Sequence, residues 1–318
     1  MKSRGYVLKP LDKTPGRARG IRGPTPRPPG ANPGAFRPPV MFPKARIHDN
    51  IAVKKRDKEG MMRRKVERLA DTLVSAIKGW EGVEAVVLGE ASEQEILDPY
   101  FALVVDVYYK GDIPASQERC AAFGDPGAFE TADSQKKDRF FLEELPVRVE
   151  YKSLDFLEDI LRRKYDLLWV FKGSGTYMFY RLERGKVLYD RSGWIEDVRR
   201  RIREFPDTFW QGLRATFQSK MEHYLSDLGA AALREDGFFY TISLGGFMKY
   251  AAAALFMINH RFEPSHRSIA EQLRDLPILP EDFWGRWESL LRVDGEMSPS
   301  RKFQIAQLLT LSVFSLER

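Results

Sequence analysis

Between residues 51 and 80 apolar positions recur every three or four residues: Val66, Leu69, Leu73 and Ile77 share one face, while Arg63, Arg64, Lys65 and Glu67 lie largely on the other. That period predicts an amphipathic helix packed on whatever sheet follows. Val83–Leu88 is a short apolar run stopped by Gly89, and Phe101–Tyr109 is a longer one, rich in β-branched and aromatic residues and closed by Gly111. Both runs predict strands. The polar stretch 115–138, with Gly124-Asp125-Pro126-Gly127, predicts a helix followed by a loop. Val147–Lys152 predicts a third strand, and Ser153 is placed to cap a helix whose Leu154, Leu157, Ile160 and Leu161 share a face. Thr176–Leu182 and Lys186–Asp190, separated by Glu183-Arg184-Gly185, read as a hairpin. From Ile195 onward the period is helical: 195–204, 208–228, 241–259, 280–293 and 299–316, the last with Ser298 as N-cap and Pro299 at its first position. The fold class expected is α+β, with a small mixed-sheet domain over residues 51–194 and an all-helical domain over 195–318.

Charge changes the picture only at the N-terminus. Residues 1–50 hold eleven Lys and Arg against Asp12 and Asp49, or +9, so the remaining 268 residues carry −3 of the net +6. The same stretch holds ten of the nineteen prolines and almost no apolar periodicity, so it cannot repay the entropy of ordering and is expected to be a disordered basic tail. Such a tail attracts RNA or another anionic partner in a salt-dependent way. No long apolar segment follows the early basic residues, so no secretory signal is expected and a cytoplasmic location is. The run Ile242–Asn259 is apolar, but Lys249 at its middle would cost about 3 kcal/mol in a bilayer, so a core helix rather than a membrane span is expected. The single cysteine, Cys120, excludes an internal disulfide and a cysteine-based zinc site.

Two carboxylates carry the chemistry. Asp106 lies inside the second predicted strand and Glu150 inside the third, and acids in apolar strands are costly unless a cation compensates them. Beside them, Leu88-Gly89-Glu90-Ala91-Ser92 leaves the first strand as a Gly/Ser loop, which together with the acids suggests a cation-dependent phosphate site. The plainer alternatives are that Asp106 faces solvent at an edge, that Glu150 pairs with Arg148 or Lys152, and that Asp98-Pro99 only opens a turn.

Together with Gly185–Gly193 and Leu255–Phe262 before Pro264, that loop makes the chain resemble the nucleotidyltransferase superfamily related to DNA polymerase beta, in a poorly characterised bacterial branch. The resemblance extends over roughly residues 60–310 and implies a nucleotidyltransferase-like domain that transfers a nucleotidyl group from an NTP to an acceptor with Mg²⁺. In that family's pattern, Gly89 and Ser92 match the nucleotide-phosphate loop, Asp106 one metal carboxylate and Glu150 the carboxylate that activates the acceptor. Two departures stand out: Val104 occupies the position of the second metal carboxylate, and the loop reads Gly-Glu-Ala-Ser, placing Glu90 beside a phosphate. Asp98 could supply the missing ligand if its turn folds back over the strand. Otherwise the chain is a catalytically degenerate member that acts as an RNA- or protein-binding module.

Overall fold

A computed structural model describes residues 44–89, 96–98, 100–132, 134–172, 176–293 and 295–316. The chain divides into two units, Met1–Asp49 and Asn50–Arg318. Apart from residues 44–50, the proposed basic tail lies outside the described residues, as do Ser92 with Glu90 and Ala91, Pro99, and Gly173–Gly175.

Helix α1 (Lys44–Ile77) leads into β1 (Val83–Leu88), β2 (Leu103–Tyr109), α2 (Ser116–Ala122), β3 (Glu130–Thr131), β4 (Lys137–Leu142) and β5 (Leu145–Ser153). Then come α3 (Leu154–Arg162), α4 (Leu168–Val170), α5 (Thr176–Arg184) and β6 (Lys186–Asp190). Helices follow: α6 (Trp194–Arg203), α7 (Asp207–Arg234), α8 (Gly237–Ile258), α9 (Ile269–Gln272) with a 3₁₀ turn at Leu273–Asp275, α10 (Phe283–Leu291) and α11 (Pro299–Phe314). The architecture is therefore α+β, a mixed sheet followed by helices. The strand order is β3-β4-β5-β2-β1-β6, with β2 and β5 parallel and the other described pairs antiparallel.

Strand alternation sorts the sheet into two faces. On one, Leu103, Val105, Val107 and Tyr109 of β2 and Val147, Val149 and Tyr151 of β5 bury against Val66, Leu69, Leu73 and Ile77 of α1. On the other, Ala85, Val87 and Tyr108 join α3, α5 and the later helices in a second apolar cluster. Asp106 and Glu150 belong to this second face. Both serine caps form: Ser153 accepts from the Phe156 N–H and Ser298 from the Arg301 N–H, with proline at the start of α11. Helix α8 is long and apolar enough to cross a membrane by length and composition, yet Ala251–Ile258 are all buried against neighbouring helices.

Two elements differ from the sequence expectation. Thr176–Arg184 is a helix, not the first strand of a hairpin; its buried Thr176, Phe179, Tyr180 and Leu182 follow a helical spacing. Phe179 stacks on Phe171 at 4.9 Å and meets Phe262 at 5.4 Å, so tertiary packing overrides the β propensity of an aromatic-rich run. The 115–138 segment forms its helix, but its expected loop contains β3 and the start of β4.

Candidate functional site

The site is laid out by strand register. Asp106 and Glu150 are direct partners across the parallel β2–β5 pair, and Lys137 of β4 stands opposite Glu150. Two positions along the same pair of strands, Val104 partners Arg148, and Arg148 faces Arg139. The Gly89 N–H donates to the Val104 carbonyl at 2.9 Å, so the loop after β1 begins beside Val104, two residues before Asp106. Helix α5 is brought down onto this face by Gly185, where a Cβ would stand 2.7 Å from the Leu88 carbonyl. Arg199 ties off the helix by donating to the Leu182 and Gly185 carbonyls at 3.0 and 2.5 Å. Asp190, in the Gly185–Gly193 run, caps α6 by accepting from the Gly193, Trp194 and Ile195 N–H groups.

The docked helix carries Arg181 between the two carboxylates. Its Nη2 donates to Asp106 Oδ1 at 2.6 Å and its Nη1 to Glu150 Oε2 at 2.8 Å. Lys152 Nζ lies 2.8 Å from the same Asp106 oxygen without the alignment of a hydrogen bond, and Lys137 Nζ lies 2.8 Å from Glu150 Oε1. Asp106 and Glu150, expected to share a site, do stand side by side, but around a guanidinium. Asp106 is fully buried rather than solvent-facing, and the ion-pair partners of Glu150 are Arg181 and Lys137 rather than Arg148 or Lys152. Asp98 is elsewhere: it accepts from the Tyr100 N–H at 2.7 Å and lies 3.6 Å from Arg267.

Mg²⁺ does not fit this arrangement. Among the described residues no group of three His, Cys, Asp or Glu could hold a metal ion, and three cationic side chains already compensate two carboxylates. A hard divalent ion needs a shell of oxygen donors, which a guanidinium and two ammonium groups displace. Burial pushes the Glu150 carboxyl up, but Arg181, the Lys137 hydrogen bond and Lys152 outweigh it and bring it down to about 2. A carboxylate that acidic is a poor proton acceptor near neutrality. Burial lowers the Lys152 ammonium, with Asp106 opposing. Four polar atoms here are buried without a hydrogen bond: Asp106 Oδ2, Lys152 Nζ, Arg181 Nε and Tyr108 OH.

Arg181 is the residue the sequence reading missed. Its signal was present, because Arg181 and Arg184 lie in the last helical turn before Gly185, the basic-then-glycine ending of a helix. Another buried acid, Glu263, follows Phe262 in the Leu255–Pro264 run. Burial raises its carboxyl to about 7, Lys249 partly opposing, and its Oε1 has no hydrogen bond. A folded-state value above the unfolded one means stability that is full below about 4.5 and is lost as pH rises through 7. Glu263→Gln should therefore stabilise the protein by about 3 kcal/mol at pH 8 and change little at pH 4, as measured by denaturant unfolding. A constant difference across that range would show that Glu263 is not the titrating group.

Residues 175–267 match one family model, described as a domain of unknown function (DUF4037). The matched segment contains α5 with Arg181, α6 to α8 and Glu263. No curated protein matches the sequence. Among solved structures, a nucleotidyltransferase-like protein from Exiguobacterium sibiricum 255-15 is similar at 13% identity, covering 79% of this chain and 73% of that one, with a TM-score of 0.44. A CCA-adding enzyme in complex with ATP is also similar at 13% identity, covering 81% and 83%, with a TM-score of 0.27. Neither likeness is close enough to transfer a site residue or an activity.

Proposed function

We propose that the chain is a nucleotidyltransferase-like protein that works as a binding module, without nucleotidyl transfer. The observation that supports this is the position of Arg181, whose guanidinium fills the space between the two carboxylates that a transferase would turn on a metal ion. Val104 agrees with it, because an apolar side chain stands where the family pattern has an acid. Asp106 and Glu150 then serve to hold α5 against the sheet through Arg181. Among the described residues, the Mg²⁺ that the resemblance implies has no assembled group of carboxylate or imidazole ligands.

The test is incubation of the full chain with each labelled NTP and Mg²⁺ or Mn²⁺, beside Glu150→Gln. Wild type and variant should transfer equally little label to the protein or to a cell extract, and Mn²⁺ should leave the melting temperature unchanged. Transfer by wild type alone would restore the enzyme, with Glu150 as its base.

A further inference from the structure

We propose that the open side of the sheet at β3, β4 and β5 binds single-stranded nucleic acid, with Arg139 and Arg148 on its phosphates and Phe141 under a base. This deepens the binding-module reading by naming the partner and the surface. The register makes the case first. Arg139 stands directly opposite Arg148 in the antiparallel β4–β5 pair, and Phe141 stands opposite Pro146 on the same face. Like charges placed directly across a ladder repel, a cost that a bound anion would offset. Both arginines are exposed, and among the described residues neither has an ion-pair partner. Glu130 of β3 faces Arg139 from the other side, so the row holds two positive charges and one negative.

The aromatic ring is the second observation. Phe141 is 51% exposed while its neighbour Phe140 is 2% exposed, as alternation requires of a strand with one dry and one open face. A ring held on an open strand beside arginines offers what single strands use: a stacking surface for a base and charge for the backbone. The third observation is a recess of about 230 Å³ bordered by Glu130, Arg139, Phe141, Pro146 and Arg148. It is shallower than the cavities that enclose a whole small ligand, so it suits one unit of a polymer whose neighbours are held nearby. In the next strand Val104 continues the row beside Arg148, and its carbonyl accepts from the Gly89 N–H. Lys137, Glu150 and Arg181 compensate one another in the adjacent row and leave Arg139 and Arg148 to the ligand.

The experiment is a fluorescence-anisotropy titration of the full chain with labelled oligouridine and oligothymidine across a range of salt. The basic residues of the N-terminus contribute in every variant, so differences between variants are read. Arg139→Ala and Arg148→Ala should each reduce the salt slope by about 0.7, the value per neutralised phosphate of a single strand. Phe141→Ala should weaken binding by roughly 5- to 100-fold at fixed salt, and Glu130→Gln should tighten it. All four positions are exposed, so unchanged melting temperatures would confirm that folding is intact. Tighter binding of the ribo- or the deoxy-oligomer, with these variant effects, identifies which nucleic acid is held. Photocrosslinks from 5-bromouridine confined to residues 1–50, or four variants that bind like wild type, would overturn the proposal. Label transfer in the assay above would sink the binding-module reading and leave this surface standing.

Discussion

Arg181→Ala should cost the folded protein about 3–5 kcal/mol, seen as a fall of roughly 10 °C in melting temperature. The expectation follows from what the substitution leaves behind. Asp106 is fully buried, one of its oxygens already lacks a hydrogen bond, and its other cation among the described residues, Lys152, is misaligned and weakened as an ammonium by burial. Removing one member of a buried pair strands the other charge, which costs far more than the pair contributes over an apolar substitute. Arg181→Lys should recover only part of the loss, because a point charge cannot span Asp106 and Glu150 as a planar fork does. Replacing both members, Arg181→Leu with Asp106→Asn, should be less damaging than Arg181→Ala alone, and that non-additivity is the sharper measurement. A single-variant loss under about 1 kcal/mol in denaturant unfolding would mean that water reaches Asp106 and that the guanidinium does not hold α5.

How much of this was legible beforehand depended on whether the signal was local. The α1 stripe, the three apolar strands and both serine caps follow from spacing along the chain, and they stand where expected. The pairing of Asp106 with Glu150 was legible as chemistry, since two acids in apolar strands must meet compensating charge. Which charge was not legible, because Arg181 lies 75 residues from Asp106 and inside an aromatic run whose propensity favours a strand. Its helix exists because Phe179 is claimed by Phe171 and Phe262, the latter contributed by a segment more than eighty residues downstream. Strand β4 was hidden for a similar reason. Its alternation of Lys137, Arg139 and Phe141 with Asp138 and Phe140 mixes charge and apolar character on both faces, and it becomes readable only once Asp138 is seen buried against Arg119.

Arg119→Ala should destabilise at least as much as Arg181→Ala, about 3–5 kcal/mol, and leave oligonucleotide binding unchanged in the fraction that remains folded. The two clusters sit on opposite faces of the sheet and differ in how completely they are satisfied. Asp138 is fully buried, accepts from Arg119 Nε at 2.7 Å and Nη2 at 2.8 Å, and also from the Tyr151 hydroxyl at 2.6 Å and the Thr131 hydroxyl at 2.9 Å. Arg119 Nη1 donates to the Pro114 carbonyl at 2.7 Å, and the guanidinium lies over the Tyr151 ring at 4.8 Å. Every strong donor has an acceptor, so nothing is left over for a ligand, and the cluster is a rigid tie between α2 and the β3–β4–β5 edge. Burial and then Asp138 raise the Tyr151 hydroxyl, so it stays a donor at all accessible pH. Around Asp106, by contrast, four buried polar atoms go without hydrogen bonds, so this cluster is less completely satisfied than the one around Asp138. Tyr151→Phe should then cost about 1.5–3 kcal/mol, the range for a hydrogen bond to a charged group, whereas Tyr108→Phe should cost almost nothing. Equal losses for the two tyrosines would erase the distinction between a satisfied tie and an unfinished site.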